Sequence, residues 1–149
     1  MKLQIEAGPL ALKKLEEQCR QKGLPLTIQR RVIFELLVNH QDHPTADDIF
    51  QEVQDKLPGV SRTTVYRVLE TLVGMGLAHK INHPAAAVRF DPMTHRHHHL
   101  VCESCGQVQD WEDDSLSTLD LPNTRRCDFK ILDYSIYFSG ICDRCRNKK

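Results

Sequence analysis

The sequence lacks long hydrophobic runs and any excess of charge. Its 149 residues contain no apolar segment that approaches the roughly 18–20 residues of a membrane-spanning helix. Lys2 and Glu6 interrupt the stretch in which a signal peptide needs apolar residues, so we expect a cytoplasmic protein without a membrane partner. Twenty basic and twenty acidic residues cancel, so binding to nucleic acid would have to depend on a local basic surface.

Motifs of enzymes are also missing. We find no phosphate-binding loop, no nucleophile motif and no general base beside the candidate metal ligands, so an enzyme such as a metallohydrolase is only an alternative. The residues present in unusual number are six cysteines and eight histidines, and five of the histidines lie between His83 and His99. This number of cysteines and histidines indicates metal binding.

The first half of the chain has the period of amphipathic helices. Thr27, Thr45 and Ser61 are candidate N-cap residues of the second, third and fourth helices. Two short extended segments, 77–81 and 88–90, follow the fourth helix. Helices followed by a β-hairpin are the order of a winged helix. We therefore predict a winged-helix domain over residues 1–84.

The second half has the pattern of an α/β domain. Its predicted strands are 97–102, 107–111 and one or two within 129–141, and its predicted short helix is 113–119. Pro84 and Pro92 bracket the link between the halves. The fold class is thus α+β, with a hinge at 85–92 and a small α/β domain at 93–149.

The fourth predicted helix carries a basic face that suits DNA. This face consists of Arg62, Thr63, Tyr66 and Arg67, and it lies away from the apolar stripe. The second helix of a helix-turn-helix enters the major groove, where Arg pairs with guanine and Thr contacts the thymine methyl. Arg30, at the start of the second helix, is a candidate phosphate contact. An ordinary solvated helix face is the alternative interpretation.

Two C-x-x-C pairs predict a structural zinc site. The pairs are Cys102/Cys105 and Cys142/Cys145, and four thiolates close the coordination shell of a tetrahedral zinc ion. The first pair is expected on a strand turn and the second at the end of the last strand. A thiol–disulfide switch through one pair is the alternative, although it leaves the other pair unexplained.

A second cluster offers nitrogen and oxygen ligands. His97 and His99 are two residues apart, so a strand points both to one face, and Asp110 belongs to the neighbouring predicted strand. Asp91 lies in the link and His43 precedes the third helix. Imidazoles with carboxylates suit Fe(II), Mn(II) or Zn(II). Taken singly, His43 and Asp91 are more typical of cap or turn residues than of metal ligands.

Together these segments resemble the ferric uptake regulator superfamily over nearly the whole chain. The matching segments are HPTADDI at 43–49, SRTTVYRVL at 61–69, RFD at 89–91, HHHLVCESCG at 97–106 and CDRC at 142–145. The resemblance implies a homodimer with an N-terminal winged-helix DNA-binding domain and a C-terminal α/β dimerisation domain. It also implies a structural Zn(2+) on the four paired cysteines and a regulatory Fe(2+) or Mn(2+) between the domains. The implied regulatory ligands are His43, Asp91, His97, His99 and Asp110.

Asp110 favours the peroxide-responsive branch of this superfamily, because the iron-sensing members usually carry Glu there. The segment LDYS at 132–135 also lacks the histidine that iron and zinc sensors tend to use for a further metal site. The branch implies that peroxide oxidises His43 or His97 and releases the dimer from a palindromic operator in double-stranded DNA. Metal ions and peroxide would be its only small-molecule partners. The alternative within the superfamily is an iron- or zinc-uptake regulator that senses metal by occupancy.

Overall fold

The computed structural model describes residues 8–84 and 86–148, which divide into two compact units. Among the described residues, the first unit contains 8–82 and 87–94, and the second contains 83–84, 86 and 95–148. The domain and hinge limits given above stay a prediction. In the described parts of the chain, no helix is long and apolar enough to cross a membrane.

Four helices form most of the first unit. They are α1 (Pro9–Gln21), α2 (Ile28–Asn39), α3 (Ala46–Lys56) and α4 (Arg62–Gly74). The three predicted N-caps are confirmed, because Thr27, Thr45 and Ser61 each accept a hydrogen bond from the backbone N–H three residues later. Thr45 and Asp48 form a complete capping box, in which the shorter Asp side chain still reaches the Thr45 N–H.

The apolar stripes of these helices meet in one core. Its fully buried side chains include Leu15, Ile33, Leu37, Ile49, Val53, Val65, Leu69, Leu72 and Phe90. Each such side chain contributes about 1.5–3 kcal/mol relative to an exposed one. Cys19 is buried in the same core. The packing of α2, α3 and α4 buries one side of α4 and leaves Arg62, Thr63, Tyr66 and Arg67 exposed on the other.

A short hairpin completes the first unit and gives it the order of a winged helix. Strand β1 (His79–Ile81) pairs antiparallel with β2 (Arg89–Asp91). Phe90 also donates its N–H to the Pro44 oxygen at 2.9 Å, and Thr45 forms a β-bridge with Arg89. These bonds fix the loop before α3 against β2.

A three-stranded sheet forms the centre of the second unit. Its strands β3 (His98–Cys102), β4 (Val108–Trp111) and β5 (Tyr137–Gly140) lie in the order β4-β3-β5. β3 is antiparallel to β4 and parallel to β5. The remaining elements are α5 (Asp114–Ser117), a 3₁₀ turn (Arg125–Cys127) and α6 (Asp143–Arg146). Helices and small sheets together confirm the predicted α+β class.

One strand prediction was too long. Of residues 129–141, only Tyr137–Gly140 are a strand, although Ile, Tyr and Phe are frequent throughout. The preceding segment makes side-chain contacts in place of a ladder: Asp133 accepts a hydrogen bond from Arg96 at 2.6 Å, and the Arg96 guanidinium lies 4.4 Å from the centre of the Tyr134 ring. β-propensity therefore overestimated the strand, because tertiary contacts, here those of Asp133 and Tyr134 with Arg96, override it.

Candidate metal centres and DNA-facing surface

The two C-x-x-C pairs come together in the second unit and form what we call the cysteine group. Its members are Cys102, Cys105, Cys142 and Cys145, whose sulfurs all lie within 4.8 Å of one another. The Sγ atoms of Cys105 and Cys142 are 3.8 Å apart. Tetrahedral zinc with Zn–S bonds of about 2.3 Å requires sulfurs about 3.8 Å apart, so these residues fit a zinc ion.

Sheet register positions the cysteine group. Parallel pairing of β3 with β5 places Cys102 opposite Gly140, and the Glu103 N–H donates to the Gly140 oxygen at 2.9 Å. The chain then leaves the sheet, and Cys142 becomes the N-cap residue of α6. The prediction that the second pair ends the last strand was therefore wrong, because this pair lies at the start and within a short helix.

The backbone around Cys102 favours its thiolate. The N–H groups of Cys142 and Cys105 donate to its sulfur and lower its pKa to about 6. For Cys105, the Gln107 N–H and the Arg144 guanidinium lower the pKa of the thiol. A cysteine must be deprotonated to bind a metal, so these contacts prepare both sulfurs as ligands.

A second set of ligands, the β-sheet group, consists of His97, His99 and Asp110. The Nε2 atoms of His97 and His99 lie 3.3 Å and 3.6 Å from Asp110 Oδ1. Antiparallel pairing places His99 directly opposite Asp110 on β4. Their positions on one face agree with the expected alternation of the strand. Two imidazoles and one carboxylate are suitable ligands for a divalent transition metal.

The His97 ring has the orientation of a metal ligand. Its Nδ1 donates to the His95 backbone oxygen at 2.9 Å, which leaves Nε2 facing Asp110. Metal-binding histidines generally use the second ring nitrogen in this way. His98 points away, as expected: it is buried, its Nε2 lies 3.3 Å from Ser117 Oγ, and burial lowers its pKa.

The first unit contains a second pair of candidate ligands, His43 in the loop before α3 and Asp91 at the end of β2. We call them the loop pair. His43 Nε2 lies 3.7 Å from Asp91 Oδ2, and both side chains are about 3% exposed. Asp91 Oδ1 accepts the Met93 N–H at 2.8 Å, which orients the other oxygen toward the imidazole. Arg89 Nη1 donates to the His43 oxygen at 2.9 Å and fixes the backbone of the loop.

His43 has a strained backbone. Its φ is +54°, in the left-handed region, where a residue other than glycine costs on the order of 1–3 kcal/mol. Such strain is concentrated at functional sites. The contacts of Arg89 and Phe90 with this loop supply the energy that maintains it.

The basic face of α4 is exposed as expected, and its residues have partners. Arg62 pairs with Asp47 on α3, and its guanidinium lies 4.5 Å from the centre of the Phe50 ring. Lys80 on β1 lies 3.3 Å from the Tyr66 hydroxyl and 2.5 Å from a Glu70 oxygen. Sequence reasoning missed Lys80, although a basic residue in a predicted wing strand was a usable signal.

Arg30 is less available than expected. It is half-buried, and its Nη1 donates to the Pro25 backbone oxygen. This bond uses one of the five N–H donors of the guanidinium and leaves others for a phosphate, so Arg30 stays a candidate phosphate contact, as does Arg62, which is itself paired with Asp47.

Comparison with known proteins identifies the family. The model of the ferric uptake regulator family matches residues 21–139. The chain belongs to the ferric uptake regulator family. Members of this family are transcription regulators and not enzymes, so the metallohydrolase alternative is excluded.

Similar proteins include peroxide-responsive repressors and a ferric uptake regulator. The peroxide-responsive repressor PerR of Staphylococcus aureus (strain Mu50 / ATCC 700699) is 30% identical over 148 residues, 99% of this chain and 100% of that protein. The structure of GAS PerR-Zn-Zn is 28% identical with a TM-score of 0.54, over 93% of this chain and 89% of that one. The Helicobacter pylori ferric uptake regulator Fur shares the fold at a TM-score of 0.80 and 18% identity, over 100% of this chain and 99% of that one.

Proposed function

We propose that this protein is a metal-dependent, homodimeric repressor that binds a palindromic operator in the cytoplasm and senses peroxide. The observation that carries the proposal is the convergence of His97, His99 and Asp110 on one face of the β3–β4 pair. This nitrogen–oxygen set is distinct from the cysteine group, so the chain offers two kinds of metal site with different chemistry.

The cysteine group would hold a structural zinc ion. Its four sulfurs saturate a tetrahedral shell and leave no position for a reacting molecule. The 3.8 Å separation of Cys105 and Cys142 supports this assignment. Zinc binding would supply folding free energy to a unit whose regular elements are short.

The loop pair and the β-sheet group would together bind one regulatory Fe(2+) or Mn(2+). His43 and Asp91 are two ligands in one unit, and the β-sheet group offers three in the other, so neither set alone fills a five- or six-ligand shell. Because ligands from both units would be needed, metal binding would favour one arrangement of the units over others. That arrangement would be the one that binds DNA.

The basic face of α4 would read the operator. Arg62, Thr63, Tyr66 and Arg67 are exposed on its first turns, where a recognition helix contacts base edges. Arg30 would add a phosphate contact through the guanidinium N–H groups that do not bind Pro25. A two-fold dimer would present two such helices to the half-sites of a palindrome.

The second unit carries the surface that a dimer would bury. Large apolar side chains remain exposed on it, including Trp111, Leu121, Phe129, Phe138 and Ile141. Exposed apolar side chains in this number on a small unit are typical of a protein interface. A second copy of the chain is the occupant that a palindromic operator requires.

Peroxide sensing would depend on the imidazoles of His43 and His97. A ferrous ion held by the proposed ligands would supply the electrons that reduce peroxide next to these imidazoles. Oxidation of either histidine would remove a nitrogen ligand, weaken metal binding and release DNA. The 30% identity with a peroxide-responsive repressor over 148 residues supports a response to peroxide.

Mass spectrometry tests the mechanism. The iron-loaded and the manganese-loaded proteins are each treated with hydrogen peroxide and digested. We expect one added oxygen on the peptide that contains His43 or His97 in the iron form only. Equal spectra for the two forms, with DNA released by chelation, would instead support an iron- or zinc-uptake regulator that senses occupancy.

A selection experiment tests DNA binding. Random double-stranded DNA is incubated with the full chain and Mn(II), and the bound fragments are sequenced. We expect a palindrome to be enriched with Mn(II) and not with chelator. Enrichment that is unchanged in the His43→Ala and His97→Ala variants would contradict the proposed regulatory site.

A further inference from the structure

The four residues of the cysteine group differ in their exposure to solvent. Cys102 is buried, Cys142 and Cys145 are half-buried, and Cys105 is exposed. A zinc ion with four thiolates carries net negative charge, because four thiolates outweigh one divalent ion. Cys105 is therefore the sulfur that an electrophile in solution reaches first.

The cation beside this exposed sulfur is Arg144. Its Nη2 donates to Cys105 Sγ at 3.7 Å. Arg146, two residues later on the same short helix, pairs with Asp143 instead. The helix thus directs one guanidinium to the cysteine group and holds the other in a separate ion pair, although both side chains are exposed.

A hydrogen bond from a cation reduces the reactivity of a metal-bound sulfur. The guanidinium withdraws electron density, which lowers the basicity of the sulfur, and nucleophilicity falls with basicity. In a free thiol, a larger thiolate fraction opposes this loss. A zinc-bound sulfur is already deprotonated, so only the loss of nucleophilicity remains.

We propose that Arg144 is a positioning residue that shields the Cys105 thiolate from electrophiles and thereby keeps zinc in the second unit. The inference rests on the proposed structural zinc and adds a role for a residue outside its ligand set. It also explains how peroxide can oxidise histidines of this chain while the cysteines stay reduced.

The reaction that Arg144 would slow has two steps. The Cys105 thiolate attacks hydrogen peroxide, takes one oxygen and releases hydroxide. A neighbouring thiolate, such as that of Cys142, then attacks the oxidised sulfur, forms a disulfide and releases a second hydroxide. Two sulfurs lose two electrons, peroxide gains them, and the site loses two of its zinc ligands. Removal of the guanidinium would accelerate the first step.

Zinc-release kinetics test the proposal. The zinc-loaded full chain is treated with N-ethylmaleimide, whose double bond accepts the thiolate while water supplies the proton, and released zinc is followed with a chromophoric chelator. We expect the Arg144→Ala variant to release zinc about three- to tenfold faster than the unaltered chain. Arg146→Ala, the matched control, should keep the original rate, and Arg144→Lys should lie between, since it keeps charge without the planar fork.

A second measurement separates electrostatics from structure. Zinc loss to EDTA alone should be the same in Arg144→Ala and the unaltered chain, because ligand dissociation needs no sulfur nucleophile. Equal rates with N-ethylmaleimide, equal acceleration in Arg146→Ala, or faster loss to EDTA in Arg144→Ala would each overturn the role of Arg144. Absence of zinc from the purified unaltered chain would instead contradict the zinc site.

Discussion

The cysteine group and the β-sheet group share strand β3 but differ in whether their ligands fill the coordination shell of a metal ion. Cys102 lies at the end of this strand and His99 near its start. The cysteine group supplies four soft ligands from one unit, which is a complete shell for zinc. The β-sheet group supplies only three ligands, of mixed type, so further ligands must come from elsewhere. A complete ligand shell suits a structural metal ion, whereas an incomplete one suits a regulatory metal ion.

The largest effect, on the folding of the second unit, should follow from substitution of a ligand in the cysteine group. The Cys142→Ser variant should lose zinc and the folded second unit, because structural zinc contributes on the order of 10–16 kcal/mol in small zinc domains. Zinc content and far-UV circular dichroism measure the change. Cys127→Ser is the control, since Cys127 is exposed and its sulfur contacts the Thr124 oxygen outside the cysteine group. Unchanged zinc content in Cys142→Ser would contradict the claim that the cysteine group, unlike the β-sheet group, is a complete zinc shell.

Substitution of a ligand in the β-sheet group should change the dependence of DNA binding on metal and leave the fold intact. The Asp110→Asn variant should keep its zinc but need at least about 10–100-fold more Mn(II) for DNA binding, because even outer-shell partners of metal ligands have effects of this size. Fluorescence anisotropy of the selected DNA fragment gives the value. Asp120→Asn, at an exposed carboxylate in the same unit, should behave as the unaltered chain. If Asp110→Asn also lost zinc, the two groups would not be independent.

A smaller effect, confined to the first unit, should come from the capping box of α3. Thr45→Ala removes the acceptor of the Asp48 N–H, and such losses cost about 0.5–2 kcal/mol. Urea unfolding should show this decrease for the first unit with no change in zinc content. Thr118→Ala, at an exposed residue in the second unit, is the control for loss of the same side chain. Loss of zinc in Thr45→Ala would contradict the separation of the units.

The smallest effect should be a pH dependence at His40. Burial lowers its pKa, but the carboxylates of Asp42 and Glu52, at 2.8 Å and 2.7 Å from its two ring nitrogens, outweigh burial and raise it. A raised pKa in the folded state means that the contribution is fully present below the ordinary pKa of about 6.5 and is lost as pH rises through the folded pKa. Urea unfolding at several pH values should show this decrease in the unaltered chain and a flatter profile in His40→Asn. His79→Asn is the control, and an equal slope in both variants would contradict the role of His40.

Local elements of the fold and part of each candidate ligand set could be predicted, because the spacing of residues along the chain determines them. C-x-x-C spacing fixes two sulfurs within reach of one ion, and the two-residue spacing of His97 and His99 fixes their face on a strand. The caps Thr27, Thr45 and Ser61 are equally local, since each contacts a backbone group three residues away. Predictions of this kind need no knowledge of tertiary packing.

Features that depend on distant packing were not predictable. The segment 129–136 has the composition of a strand, but its Asp133 and Tyr134 instead make side-chain contacts with Arg96. Contacts of Arg144 with Cys105 and of Lys80 with Tyr66 join elements that are far apart in the chain. Spacing gives no indication of these pairs, because side-chain direction on α6 and β1 is set by the surrounding fold.

The left-handed backbone of His43 means that folding and function favour different residues at this position. Glycine would adopt a φ of +54° without steric cost, and asparagine would tolerate it better than histidine does. Neither offers an imidazole. Under the proposed role of His43 as a metal ligand, the need for an imidazole outweighs this backbone cost.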